Sequence, residues 1–432
     1  MAADFLQPRF LSVKENQAVI MLQQKDMMLR QNAAIKDAMR ELNAAADSYL
    51  SACMSAREPG EIAQLHVALM DNVRATKATV YGPMNMVTSH FEEFMRSSCL
   101  RAVMEMGVIE ALPADGGSVS AAELSAKLQV EEALLVRLLR LLVPTIIEEP
   151  SPEVYAHTAN SMIFLFPPLR AGFMMMFDEF GPPSIKMNEF FQNNGFKTPS
   201  SLTNNPFTYA HNATGNLNMF EILSQDPQRL KRFEAAMQAQ TSQNLLSFAI
   251  FPFQERFSKL QPSEKDVLLV DVGGGKGHAI AAIRELCPGT PGKMILQDQP
   301  DVIAGLKNDI AGAEKFGYNF FEPQPVNGAL FYYIRRCLHD WPDNECILIL
   351  RNIATAMKPG VSKLLIAEIV LPPGDRDTEA AWMDITMLAF GGMERSEKQW
   401  ISLLDRADLV LEKIHKQEGT KFSVLEVDLK GI

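Results

Sequence analysis

The stretch Leu268-Leu269-Val270-Asp271-Val272-Gly273-Gly274-Gly275-Lys276-Gly277-His278 decides the fold. An apolar run carrying one acid turns through glycines and enters a segment of helical periodicity. In a parallel sheet, this is where the carboxyl end of the first strand offers a ligand pocket. Glycine has no Cβ, so the backbone can turn tightly there and come close to a neighbour or a ligand. A dinucleotide fingerprint reads G-x-G-x-x-G and seats a pyrophosphate on the helix N-terminus. Here the third glycine comes one residue early, giving Gly273-x-Gly275-x-Gly277, and His278 stands at the dinucleotide position. The plain alternative is a tight strand–helix turn with no ligand, and glycines alone do not separate the two readings.

Downstream of this stretch the pattern alternates strand and helix. Strands are expected at Val267–Asp271, Lys293–Asp298, Gly328–Tyr333 and Lys363–Glu368, with helices at His278–Leu286, after Val302, around Glu345–Met357 and near Ala380–Phe390. Two closing runs, Leu409–Ile414 and Lys421–Leu429, are separated by Glu418-Gly419 and read as an antiparallel pair. The expected fold class is α/β, a doubly wound, mostly parallel sheet.

Upstream the chain is mostly helical. A long helical pattern from Ser12 to Ala56 breaks at Arg57-Glu58-Pro59-Gly60, and a second, Ile62–Thr79, ends at Tyr81-Gly82-Pro83. Ser120 and Glu123 form a capping-box pattern at the start of a short helix. A leucine-rich helix over Glu131–Leu142 and two wing-like strands near Ile146–Glu149 and Val154–Thr158 complete a winged-helix pattern. Such a unit can read DNA or serve only as a packing module. The would-be reading helix mixes Arg137 and Arg140 with Glu131, Glu132 and many leucines, and the chain carries a net charge of −11, which disfavours nucleic acid.

At 432 residues the chain exceeds one ordinary core. Three regions are expected: 1–83, a helical extension; 84–250, a winged-helix dimerisation and substrate-lining domain; and 251–432, the catalytic domain. The five cysteines form no C-x-x-C pair, which reads as reduced thiols in the cytoplasm. No stretch reaches membrane-span length and no secretory signal is recognised, so neither a membrane nor a nucleic acid is expected as a partner. The cluster Met176, Phe177 and Phe180, with Asp384 and Met387, is expected to line an apolar substrate pocket, although core packing would explain each residue singly.

Three further positions carry chemistry. Asp298 ends the second strand, where a carboxylate can hold two ribose hydroxyls. Leu338-His339-Asp340-Trp341 follows the third strand, so an imidazole able to take a proton near neutral pH stands on the same sheet edge as the glycines. Glu368, at the end of the next strand, and Glu394, in Gly391-Gly392-Met393-Glu394-Arg395, could orient that imidazole. The ordinary alternatives are a strand-end charge for Glu368 and an ion pair with Arg395 for Glu394. No acidic or histidine cluster has metal-ligand spacing, so no metal is expected.

Together these motifs resemble the caffeic-acid-type small-molecule O-methyltransferases, class I enzymes dependent on S-adenosylmethionine (SAM), and in particular their fungal secondary-metabolite branch. The resemblance runs from about Phe91 to the C-terminus. It rests on Val270–Gly277, Leu338–Trp341, Ala367-Glu368, Asp384–Leu388 and Gly392–Arg395, with Asn205–His211 and Phe233–Met237 before them. It implies a Rossmann-like SAM domain behind a winged-helix homodimerisation domain. It implies His339 as base with Glu368, Glu394 and Asp340 around it, and cofactor contacts from Gly273, Gly274, Gly275, Asp298, Asn319, Phe320 and Arg335. It also implies methyl transfer to a hydroxyl of a small aromatic, polyketide- or peptide-derived metabolite, with S-adenosylhomocysteine (SAH) as product. Two alternatives stay open: a SAM-binding relative that catalyses dehydration or a pericyclic step, and N- or S-methylation.

Overall fold

A computed structural model describes residues 13–243, 248–307, 309–310, 312–371, 374, 378–417 and 422–431. The chain forms two compact units, Met1–Arg96 and Ser97–Ile432.

The first unit is helical. Helix α1 spans Val13–Met54 and α2 spans Pro59–Glu105, running on past the unit's end. Thr76 Oγ1 donates to the Ala38 carbonyl at 3.3 Å, and the Tyr49 and His66 rings lie 5.4 Å apart, tying the two helices together. The turn expected at Tyr81-Gly82-Pro83 is instead a kink inside α2. Gly82 takes φ 64° and ψ 175°, and Pro83 follows it. A proline lacks the N–H that a helix interior needs but fits a first turn, so the helix restarts rather than ends.

The second unit begins with the winged-helix pattern. Strands β1 (Ser118–Ser120), β2 (Ile147–Ser151) and β3 (Val154–His157) form a small sheet of order β1-β3-β2. Helix α3 (Ala121–Leu128) opens on the expected capping box, with the Ser120 N–H donating to Glu123 Oε2 at 2.9 Å. Helix α4 (Glu132–Leu142) buries Leu135, Leu139 and Leu142. Helix α5 (Pro167–Met175) passes through a π-helical turn at Met176–Phe180 into α6 (Gly181–Asn193).

The catalytic-domain pattern becomes an eight-stranded sheet. Strands β4 (Val267–Val272), β5 (Lys293–Asp298), β6 (Ala313–Gly317), β7 (Phe331–Arg335), β8 (Lys363–Leu371), β10 (Leu409–Lys416) and β11 (Phe422–Leu429) run in the order β10-β11-β8-β7-β4-β5-β6, and short β9 (Arg395–Ser396) pairs with β8. Helices α7 (His278–Leu286), α8 (Asp343–Ala356), α9 (Thr378–Phe390) and α10 (Glu397–Arg406) connect them. Pairing is parallel from β6 to β8, and β11 enters antiparallel to both β8 and β10.

Side-chain alternation divides the strands between two cores. Tyr332, Ile334, Leu364 and Ile366 belong to one buried cluster, and Phe331, Tyr333, Leu365 and Ala367 belong to the other. Both faces are covered, as a parallel sheet requires. The order sets β7 beside β4, so the turns after these two strands emerge side by side at the carboxyl edge.

Three details differ from the sequence expectation. β6 was not expected, because Ala313-Glu-Lys-Phe-Gly317 on the sheet edge shows no apolar alternation. β7 ends on Arg335 rather than Tyr333, which carries Arg335 to the strand terminus. β8 runs on to Leu371, so Glu368, expected to end it, lies inside the strand. The Glu418-Gly419 turn lies outside the described residues. Among the described residues, no helix is long and apolar enough to cross a membrane.

Candidate active site

The glycine turn is held from within. The N–H groups of Gly273 and Gly274 both donate to the Gln297 carbonyl, at 2.8 and 3.0 Å, and the Gly275 N–H donates to Asp298 Oδ2 at 2.7 Å. A Cβ on Gly274 would fall 2.3 Å from Asp271 Oδ2 and 2.4 Å from Leu296 Cδ1, so internal packing alone demands glycine there. With these donors engaged, the turn offers a ligand carbonyl oxygens and close backbone rather than a nest of free N–H groups.

Asp298 also accepts the Gln299 N–H on Oδ1 at 2.7 Å. Burial pushes its carboxyl upward against these two hydrogen bonds. A carboxylate has about four lone-pair sites, so hydroxyl donors can still be accommodated. Behind it, fully buried Asp271 has Oδ2 without a hydrogen-bond partner among the described residues. Burial raises its pKa to about 7, against the opposing pull of Arg335. The Arg335 guanidinium lies 4.6 Å from the Phe248 ring, and its own pKa is pushed down by burial. Asn319 is exposed and accepts the Phe321 N–H on Oδ1 at 3.2 Å. Phe320 packs edge-on against Trp341, with ring centres 5.8 Å apart, and its ring edge would lie 3.7 Å from a Cβ on Gly273.

His339 occupies a short 3-10 turn, Leu338–Asp340, just beyond β7. The imidazole is buried. Its Nδ1 lies 2.7 Å from Glu394 Oε1 and 3.9 Å from Glu368 Oε2, while Nε2 lies 3.5 Å from Asp340 Oδ1. Burial alone would lower its pKa. The charges of Glu368 and Asp340, with the Glu394 hydrogen bond and charge, outweigh burial and raise it to about 9.

The two glutamates reach His339 by different routes. In register Arg335 pairs with Ala367, so Glu368 stands level with the first residue after β7. Its Oε1 accepts the N–H groups of Cys337 and Leu338, each at 3.0 Å, pinning the turn that carries His339. Burial pushes the Glu368 carboxyl upward, opposed by His339. Glu394 arrives from the loop after α9, where its N–H donates to Asp384 Oδ1 at 2.9 Å. The loop is threaded closely: Met393 N–H donates to the His339 carbonyl at 2.9 Å, and a Cβ on Gly392 would fall 2.2 Å from that same oxygen.

The His339 and glycine motifs meet directly. Cys337 Sγ sits 3.7 Å from the Gly273 carbonyl oxygen and would lie 2.9 Å from a Cβ on Gly273. One edge therefore carries a glycine turn, a strand-end carboxylate and a carboxylate-flanked imidazole, the parts needed to hold a nucleoside-bearing ligand beside a base. Donor atoms of His339, Glu368 and Glu394 all lie within 4.8 Å of one another. The 2.7 Å Nδ1–Oε1 separation is a hydrogen-bond distance, so that pair already satisfies itself without an ion.

The residues expected to line the substrate pocket divide. Phe180 and Met387 are buried in one cluster with Phe207 and Phe390, and Met176 packs against it. Phe177 stacks on Phe173 with centroids 6.2 Å apart. Asp384 supports Glu394, as described. Sequence reasoning missed Cys337, the paired amides of Gln297 and Gln324 (2.8 Å in both directions), and the contacts of Arg395. The ion pair of Arg395 is with Asp343, at 3.0 Å. Only the tertiary contacts identify these residues.

A family model described as an O-methyltransferase domain matches residues 197–409, and one described as an O-methyltransferase dimerisation domain matches residues 88–166. The chain is 39% identical over 414 residues to O-methyltransferase afvC of Aspergillus flavus, covering 94% of this chain and 99% of that one. The crystal structure of OxaC in complex with SAH and oxaline matches with TM-score 0.84 and 33% identity, over 93% of this chain and 100% of that one. The structure of LepI in complex with SAM matches with TM-score 0.78 and 26% identity, over 90% of this chain and 100% of that one.

Proposed function

The chain belongs to the O-methyltransferase family, and from that premise we propose that His339 is the general base that activates the acceptor hydroxyl. The enzyme is a SAM-dependent O-methyltransferase. The observation that carries the proposal is the short Nδ1–Glu394 contact in a buried pocket. With the Nδ1–H donated to Glu394, Nε2 is the nitrogen left to accept a proton.

The residues present fit the cofactor. Asp298 keeps acceptor capacity for two ribose hydroxyls, Phe320 and Asn319 follow β6 at the same edge, and Arg335 ends β7. The glycine turn presents carbonyls suited to an ammonium group. When bound, SAM supplies an electrophilic methyl on a positively charged sulfur, and that charge opposes protonation of His339. The chain's own work is to orient the acceptor, exclude water, and take its proton on Nε2 while Glu394 and Glu368 stabilise the imidazolium. No metal step is needed, since proton removal and orientation suffice.

The acceptor we propose is a small aromatic, polyketide- or peptide-derived metabolite, taken up beside Met176 and the π-helical turn, a distortion frequent at functional sites. The structure of OxaC in complex with SAH and oxaline supports a small-molecule acceptor. The same reading assigns the extension 1–83, the substrate-lining domain 84–250 and the catalytic domain 251–432, in the cytoplasm as a homodimer. The exposed row Met84, Val87, Phe91 and Met95 on α2, overlapping the dimerisation match, supports the homodimer.

Purified protein incubated with methyl-labelled SAM and an extract of fungal secondary metabolites tests the reading. The wild type is expected to yield a labelled product that His339→Ala cannot make. SAM bound but never consumed would instead favour a non-methylating dehydration or pericyclic step, and a similar structure described as a pericyclic reaction enzyme keeps that alternative in view.

A further inference from the structure

The Arg395 side chain has no exposed surface, yet it is a charged group in a core. Each part of the guanidinium has a partner. Nη1 donates to the Leu338 carbonyl at 3.0 Å, Nη2 donates to the Trp341 carbonyl at 2.9 Å, and Nε and Nη2 reach Asp343 Oδ1 at 3.2 and 3.0 Å. The cation also lies 5.4 Å from the ring of fully buried Trp400. Leu338 and Trp341 bracket His339 and Asp340, so the planar fork spans the turn that carries the imidazole. Arg395 is also the chain neighbour of Glu394, whose carboxylate holds Nδ1. One residue thus fixes both ends of the His339–Glu394 hydrogen bond: the turn through side-chain donors, and the glutamate through the backbone.

We propose that Arg395 is a positioning residue that sets the His339–Glu394 pair, with Asp343 as the anchor that orients the guanidinium. The role requires arginine. A lysine ammonium is a point charge and cannot bridge two carbonyls and a carboxylate with planar, diverging donors. Asp343 is half exposed and also pairs with Arg406 at 3.1 Å, so the anchor runs from the buried turn out to the surface. Buried charges are costly unless every donor is satisfied, and here the partners that satisfy them are the carbonyls of the catalytic turn.

The proposal rests on His339 being the base, but its test needs no acceptor. Protein labelled at histidine with nitrogen-15 is titrated without SAM, the His339 signal being assigned by its loss in His339→Asn. In Arg395→Lys the His339 midpoint is expected to fall by about one pH unit, because a displaced Glu394 stabilises the imidazolium less. Glu394→Gln is the positive control and should lower the midpoint at least as far. An unchanged midpoint in folded Arg395→Lys overturns the proposal. Should Arg395→Lys fail to fold, Asp343→Asn leaves the arginine in place and is expected to shift the midpoint in the same direction by a smaller amount; no shift there also overturns it. With labelled SAM and extract, loss of product in His339→Ala but not in Arg395→Lys would reject the positioning role and leave the base intact. Product from His339→Ala would reject the base itself.

Discussion

The two halves of the active edge are built in opposite ways. The glycine turn is assembled from residues close in sequence and from one neighbouring strand: Gly273 and Gly274 bond Gln297, Gly275 bonds Asp298, and Gly274 packs on Asp271. The proposed catalytic half gathers His339 from the turn after β7, Glu368 from β8, Glu394 from the loop after α9, and Asp384 from α9 itself. A local device depends on backbone geometry and tolerates little change at its glycines. A dispersed device depends on side-chain hydrogen bonds, and its members can fail singly while the fold survives. Mutation should therefore separate cofactor binding from chemistry.

His339→Ala is the strongest break in the comparison. Loss of the proposed general base is expected to lower kcat by about 10²–10⁴-fold while SAM affinity, measured by calorimetry, stays within about threefold. A parallel loss of SAM binding would show that the halves are not separable.

Gly274→Ala attacks the other half. Its Cβ must displace Asp271 or Leu296, so thermal unfolding should show a loss of about 1–3 kcal/mol, with SAM binding sharply weakened. Unchanged SAM affinity would mean that the turn is only a packing element.

Glu394→Gln keeps the shape but removes a charge-assisted bond of about 1.5–3 kcal/mol, so kcat should fall roughly ten- to a hundredfold. The acid limb of kcat/KM should move to lower pH, because His339 owes its raised pKa partly to this carboxylate. Movement toward higher pH would contradict the assigned geometry.

The same group affects stability. In the folded protein His339 titrates near 9, above its ordinary 6.5. A raised pKa favours the protonated folded state. The stabilisation is therefore complete below pH 6.5 and is lost as pH rises through 9. The difference in Tm between wild type and His339→Gln, without SAM, should shrink across that window.

Asn319→Ala is the mildest test. The side chain is exposed and makes one local hydrogen bond, so a loss of about 1 kcal/mol, roughly fivefold in SAM Kd, is expected, with kcat unmoved.

Legibility in the sequence followed the same division. The glycine turn, Asp298 and the strand alternation were readable because spacing along the chain encodes them. His339, Glu368 and Glu394 were nameable from their places along the chain, with the resemblance implying their roles, but their 2.7 and 3.9 Å relations to one nitrogen were not. β6 escaped because an edge strand with half-exposed residues carries no apolar period. Arg395 was readable only as a neighbour of Glu394, whereas the structure directs it to Asp343 and to two carbonyls more than fifty residues upstream.

By itself, then, the sequence determined the α/β class, the order of its motifs and the chemistry each residue type can perform, because periodicity and backbone permissiveness are local properties. Tertiary structure alone decided which carboxylate takes Nδ1 and why Gly392 tolerates no side chain. It also decided where a buried arginine finds its partners. Those depend on the lateral order of β4, β7 and β8, which brings distant turns within hydrogen-bond reach.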